Sequence, residues 1–122
     1  MLELLHIENI AIIERPDITF EPGFNALTGE TGAGKSIVID SLSAVLGQRT
    51  SRDLIRTGAD KAYVSACFTG IPPEVGEDLG ITWDEELLLQ REIHADGKNV
   101  CRVGSRPVTV TQLRTLGSRL LN

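Results

Sequence analysis

Aromatic residues are scarce in this sequence: three Phe, one Tyr and one Trp among 122 residues. A platform for single-stranded nucleic acid needs several aromatic faces beside cations, so recognition by base stacking is poorly supported, and Tyr63 and Trp83 form no such pattern. Cysteine is nearly absent too. Cys67 and Cys101 make no C-x-x-C pair, which argues against zinc and dithiol redox motifs. They read as two reduced thiols of a cytoplasmic protein. Apolar runs are short, such as Leu87-Leu88-Leu89, so no transmembrane helix and no membrane partner are expected. Met1-Leu2-Glu3-Leu4 has no basic stretch before its apolar residues, so no secretory signal is expected. A basic surplus is also missing. Twelve Lys+Arg face 17 Asp+Glu, for a net charge of −5, the reverse of a whole-chain nucleic-acid signature.

What is present suits one folded domain: 41% hydrophobic and 24% charged residues, with no repeat or low-complexity tract. Charge is unevenly spread. Residues 71–90 hold 6 acidic and no basic residues, whereas residues 91–122 hold 6 basic and 2 acidic. Local cations therefore remain candidate contacts, notably Arg49, Arg52 and Arg56, although exposed arginines are often plain solvated surface.

Leu2–Ile7 reads as a strand, and Asp17–Glu21 alternates polar and apolar with Ile18 and Phe20 on one face. Glu21-Pro22-Gly23 is a turn, and Phe24–Thr28 reads as a short buried strand running into glycines. Lys35–Leu46 has helical periodicity, with Gly47 as its stop. Apolar residues lie all round that helix, so it should be mostly buried, apart from one polar stripe of Ser36, Asp40, Ser43 and Gly47. Residues 50–58 suggest a loop with a short helix. Ala62–Thr69 reads as a strand, and Ile71–Asp84 as an acidic loop with room for one helical turn. Leu87–His94 and Asn99–Val103 are strands around the hairpin signal Asp96-Gly97. Gly104-Ser105-Arg106-Pro107 reads as another turn. Thr109-x-x-Gln112 has the form of a capping box. The helix it opens carries Val110, Leu113, Leu116 and Leu120 inward, with Arg114 and Arg119 outward.

Chemistry concentrates in Gly29-Glu30-Thr31-Gly32-Ala33-Gly34-Lys35-Ser36, a full match to G-x-x-x-x-G-K-[ST] with a strand before it and a helix after it. Glycines let successive backbone N–H groups point into one concavity, an anion nest. The helix N-terminus adds unpaired donors and partial positive charge. In this pattern Lys35 reaches the β- and γ-phosphates of ATP, and the Ser36 hydroxyl ligates Mg²⁺. A cradle alone does not hydrolyse ATP, because phosphoryl transfer also needs a metal-holding acid and a group that positions water. The one candidate acid-bearing strand is Ile81-Thr82-Trp83-Asp84-Glu85. It is too polar for a central strand, and Pro72-Pro73 and Gly80 lie just upstream, so it is set aside. No Asn-Lys-x-Asp or Ser-Gly-Gly sequence occurs. His6 and His94 are isolated and read as ordinary strand residues.

These residues resemble the N-terminus of the RecN family of bacterial DNA repair proteins, relatives of the structural-maintenance-of-chromosomes (SMC) ATPases. The resemblance runs through Leu4-x-x-Ile7-x-Asn9-x-Ala11-Ile12-Ile13 and through Pro22-Gly23-Phe24-Asn25-Ala26-Leu27 into the phosphate motif. It continues in Ile39-Asp40-Ser41-Leu42, Leu46-Gly47-x-Arg49, Leu54-Ile55-Arg56-x-Gly58, Arg91-Glu92-Ile93, Arg106-Pro107-Val108-Thr109 and Gln112-Leu113-Arg114. Asn9-Ile10 departs from the Asn-Phe step common in the wider superfamily, and Gly104-Ser105 from the family's Asn-Gly. The resemblance implies an α/β fold of the P-loop NTPase type. Residues 1–122 would be the N-terminal lobe of an ABC-type ATPase head, with a mixed parallel and antiparallel sheet. It further implies a cytoplasmic, nucleoid-associated protein acting in double-strand break repair and recombination. Its partners would be the C-terminal lobe of the same protein, a second head that sandwiches ATP, and DNA. Gly29 to Ser36 carry over as the nucleotide residues, and Arg52 and Arg56 fall where relatives place an arginine-bearing loop near nucleotide and DNA. The family's hydrolytic residues find no positions here, so turnover by this lobe alone is not expected. Two readings from other classes stay open: a small free-standing P-loop kinase with Arg49, Arg52 and Arg56 as a lid, and a non-enzymatic interaction module.

Overall fold

The computed structural model describes residues 2–10, 17–19, 32–50 and 54–120, with the backbone alone for residues 17–19 and 32–37. Six strands form one sheet: β1 (Leu2–Glu8), β2 (Asp17–Thr19), β3 (Lys61–Thr69), β4 (Glu86–His94), β5 (Asn99–Val103) and β6 (Arg106–Val108), in the spatial order β2-β1-β3-β4-β5-β6. Helix α1 (Gly32–Val45) precedes β3, and α2 (Val110–Leu120) follows β6. Period-two alternation explains the strands. On β3, Ala62, Val64, Ala66 and Phe68 are buried, while Lys61 is exposed and Tyr63, Ser65, Cys67 and Thr69 are half-buried. On β4 the inward positions are Leu87, Leu89, Arg91 and Ile93.

The mixed sheet expected from the sequence is, among the described residues, antiparallel at every pairing. The turns at Asp96-Gly97 and Gly104-Ser105 explain part of this, because a tight turn can only return a strand antiparallel. The segment Phe24–Thr28, expected as a strand, lies outside the described residues, as do Phe20 and Glu21. The turn expected over Gly104–Pro107 is shorter than the sequence suggested. It ends at Ser105, and Arg106-Pro107 begins β6, an edge strand where a missing N–H is tolerated.

Helix α1 starts three residues earlier than its periodicity suggested, and among its described side chains the burial is one-sided. Val38, Ser41, Ala44 and Val45 face the sheet, whereas Ile39 is 45% exposed and Asp40 is exposed. The sheet covers one side of the helix. Among the described residues, no second layer covers the other. Leu5, Val64, Leu87, Leu89, Leu113 and Leu116 fill the core between the sheet and the helices.

Gly47 ends α1 in a Schellman turn: its N–H donates to Ala44 O at 3.0 Å, and the Gln48 N–H donates to Ser43 O at 3.1 Å. Its φ of +90° is left-handed, and a Cβ there would lie 2.4 Å from the backbone nitrogen of Arg114. The backbone of α2 also approaches α1 at Gly117, where a Cβ would meet Leu46 O at 2.4 Å. The capping box at the start of α2 is formed in both directions: Thr109 N–H donates to Gln112 Oε1 at 2.9 Å, and Gln112 N–H donates to Thr109 Oγ1 at 3.0 Å. A 3-10 helix (Pro73–Leu79) supplies the helical turn of the acidic loop, and its Asp78 takes a two-pronged bond from Arg119 of α2 at 2.7 and 3.0 Å.

The outer face of the sheet is mixed, with polar residues beside Leu4 and Leu88. Glu92 there lies 3.0 Å from His94 Nε2, 3.5 Å from Lys61 Nζ and 3.7 Å from an Arg102 nitrogen. Partial burial raises the Glu92 pKa, but the His94 and Lys61 contacts outweigh it and hold the carboxyl below its usual value. Because the folded pKa is depressed, the stabilisation is present above the ordinary Glu range and disappears as pH falls through the folded value. Glu92→Gln should therefore cost stability at neutral pH, and the gap to the parent protein should close in acid unfolding below about pH 4; a constant gap across that window would refute it. Gly47→Ala should lose about 2–4 kcal/mol in denaturant unfolding, from the left-handed backbone and the forced contact with α2 together.

Candidate phosphate-binding site

The second half of the phosphate motif, Gly32 to Ser36, forms the first residues of α1. At a helix start the N–H groups have no intrahelical acceptor and point outward along the axis. The first turn carries no acidic residue to occupy them. An incoming phosphate would meet backbone donors and the positive end of the helix dipole without a competing carboxylate. Gly29, Glu30 and Thr31 lie outside the described residues, as do the side chains of Lys35 and Ser36.

Of the three candidate arginines, Arg49 and Arg56 are exposed, and Arg52 lies outside the described residues. Arg56 is fixed through its backbone. Its N–H donates to Asn9 O at 2.7 Å, and an isolated bridge pairs Ile10 with Ile55. Asn9 makes the required bend with a φ of +58°, an uncommon left-handed conformation that Asn tolerates better than most residues. Beside it lies an open hollow of about 460 Å³, lined by Asn9, Arg56, Gly58 and Lys61 among others. The structure thus joins the end of β1 to the segment carrying Arg56, two stretches that the sequence alone left unconnected.

Asp84 and Glu85 are exposed in the bend before β4, not at the end of a buried strand. His6 Nε2 lies 2.7 Å from Glu8 and edge-on to Tyr63. Among the described residues, no group of three His, Cys, Asp or Glu is placed to hold a metal. Burial pushes the thiol pKa of both cysteines up, with Glu86 adding to the effect at Cys67 and Arg91 opposing it at Cys101. Both shifts favour the neutral thiol over the reactive thiolate.

Sequence reasoning missed what holds the opposite end of α1. Arg91 is 3% exposed. Its Nη1 donates to Ala44 O at 2.7 Å and to Gln48 O at 2.6 Å, and its Nε donates to Asn99 Oδ1 at 2.9 Å. Arg114 faces outward, as its spacing suggested, yet its Nε donates to Gly47 O at 3.1 Å. Desolvation lowers the Arg91 pKa, Cys101 opposes that shift and Arg114 adds to it; an arginine nonetheless stays charged in a protein. The signal was available: Leu87, Leu89 and Ile93 set the inward register of β4, and Arg91 falls on it.

A family model describing an AAA domain matches residues 4–99. The chain is 42% identical to the DNA repair protein RecN of Bacillus subtilis, over 100% of this chain and 22% of that protein. The RecN of Vibrio cholerae is 39% identical, over 100% of this chain and 23% of its own length. The RecN of Treponema pallidum is 46% identical, over 93% and 21% respectively. The chain thus spans about a fifth of the length of these relatives. Among solved structures, the Smc head domain with a coiled coil and joint from Pyrococcus yayanosii superposes with a TM-score of 0.76 at 27% identity, covering 96% of this chain and 25% of that one. An Smc head bound to the C-terminal winged-helix domain of ScpA gives 0.74 at 26% identity, covering 96% and 40%. No helix among the described residues is long and apolar enough to cross a membrane. The chain belongs to the AAA-domain family, has the fold of an SMC-type ATPase head, and is homologous to the N-terminal region of RecN.

Proposed function

We propose that this chain is the ATP-binding lobe of a RecN-like ATPase acting in DNA double-strand break repair. The observation that carries the reading is the phosphate motif opening α1 with an acid-free first turn, in a chain similar to RecN along its whole length. In this reading Gly29 to Gly34 wrap the phosphates with backbone donors, Lys35 pairs with the β- and γ-phosphates, and the Ser36 hydroxyl holds Mg²⁺. The ion would neutralise phosphate charge. Arg52 and Arg56 would approach the nucleotide or DNA from the segment tethered to Asn9.

Residues 1–122 are then one lobe of the head. The exposed Ile39 and Asp40 side of α1 fits a helix meant to be covered on its second side by the C-terminal lobe of the same protein. Hydrolysis would need an acid on a buried strand, which Asp84 and Glu85 do not provide, and so would depend on that lobe and on a second head closing over ATP.

Equilibrium titration with a fluorescent ATP analogue in the presence of Mg²⁺ tests the reading. Lys35→Ala should weaken binding by about tenfold to a hundredfold, the worth of hydrogen bonds to a charged group. Equal binding by the two proteins would sink the assignment.

A further inference from the structure

We infer that Arg91 is a positioning residue for the nucleotide: by holding the carbonyls of Ala44 and Gln48 it sets how far α1 lies along the sheet, and so where the phosphate-binding turn sits. The inference rests on the ATP-binding reading above and assigns a determinant of the same site at its far end.

Helix α1 has 14 residues, so its two ends lie about 21 Å apart on a stiff rod. What α1 buries against the sheet is mainly apolar: Val38, Ala44 and Val45, with Ser41 between them and its Oγ without a partner. Apolar burial is non-directional. It fixes the distance of the helix from the sheet and constrains the axial position less sharply than directional bonds do. Directional bonds fix the axial position far more strictly; Arg91 supplies two of them from the sheet, and Arg114 adds one at Gly47 O from α2. Arg91 Nη1 bridges Ala44 O, in the last turn, and Gln48 O, just past the Schellman glycine. A slip of one residue, about 1.5 Å, would break both bonds.

The anchor itself is held from both sides. Arg91 sits in the middle of β4, paired with Val64 on one side and Cys101 on the other. Asn99 holds its Nε from the next strand. The described acceptors of this buried cation are two main-chain carbonyls and one amide oxygen, with no carboxylate among them. An arginine kept only for stability is replaceable, since apolar side chains of similar volume often do as well or better in such places. A charged fork that grips one helix end at two points gives geometry that an apolar side chain cannot.

The full-length protein should be compared with Arg91→Lys, Arg91→Met, Asn99→Ala and Ile81→Ala. Ile81 is buried beside the 3-10 helix and serves as a destabilising control away from α1. Affinity for the fluorescent ATP analogue is read well below the melting temperature, and Tm is measured in parallel. Arg91→Met should weaken binding about tenfold, and Arg91→Lys should restore part of it, as expected for phosphate donors misplaced by an ångström or so. Asn99→Ala, at an exposed position that keeps the core intact, should weaken it less but in the same direction. Ile81→Ala should lower Tm and leave affinity unchanged. Full affinity in Arg91→Lys and Asn99→Ala overturns the inference, whether or not Arg91→Met folds. So does a loss in Ile81→Ala equal to that in the Arg91 variants at equal Tm. Loss of binding in Lys35→Ala with full binding in the Arg91 and Asn99 variants sinks this inference alone; full binding in Lys35→Ala sinks the ATP-binding reading itself.

Discussion

A guanidinium taken out of water must be given acceptors, and that requirement organises the centre of this fold. Arg91 stands on the inward face of β4 at 3% exposure, where an unpaired charge would be prohibitively costly. A helix C-terminus gathers carbonyls with acceptor capacity to spare: Ala44 O takes the Gly47 N–H and still has a lone pair for Arg91. The end of α1 is therefore brought to Arg91, and Gly47 must turn left-handed there so that the carbonyls of Ala44 and Gln48 both face one nitrogen. Helix α2 then packs backbone to backbone on the same turn, which only glycine at positions 47 and 117 permits. Sheet, α1 and α2 thus meet at a single point.

How much of this was legible depended on whether the signal was local. Strands β1, β3, β4 and β5 follow from period-two alternation, the hairpin from Asp96-Gly97, the stop of α1 from Gly47 and the start of α2 from Thr109 and Gln112. Each needs only neighbouring residues. The phosphate motif is legible for the same reason. Three things were not. Ile39 is 45% exposed although its apolar periodicity asks for cover, because periodicity reports which residues want cover, not which layer supplies it. The bridge from Asn9 to Arg56 joins residues 47 apart in sequence, so no window contains it. Arg114 was placed outward correctly, but an outward residue can still reach back to a carbonyl through a long, flexible stem.

The charge pattern of the sequence acquires a different meaning in the folded chain. The acidic stretch 71–90 and the basic stretch 91–122 are not two surfaces for two partners. Part of the contrast is consumed internally: Arg119 takes Asp78, Arg106 donates to Gly80 O, and Arg91 and Arg114 go to the end of α1. Arg102 joins Lys61 and His94 around Glu92. Most of the basic residues after position 90 are thus committed to main-chain carbonyls or carboxylates of this lobe, which is why their number says little about nucleic acid.

Helix α1 carries the phosphate motif at one end and core contacts at the other. A helix needs negative charge near its N-terminus and positive charge near its C-terminus. Helices commonly meet both needs within their own sequence, and α1 meets neither: its first turn has no acid and its last turn has no base. The C-terminal need is met by Arg91 and Arg114, from β4 and α2. The N-terminal need is left unmet by the described residues. An acidic cap would stabilise the lobe and fill the place of the phosphate. On the proposed reading, securing the C-terminal end from outside holds the helix while its N-terminal donors stay available, and a phosphate group would supply the charge and acceptors that end calls for.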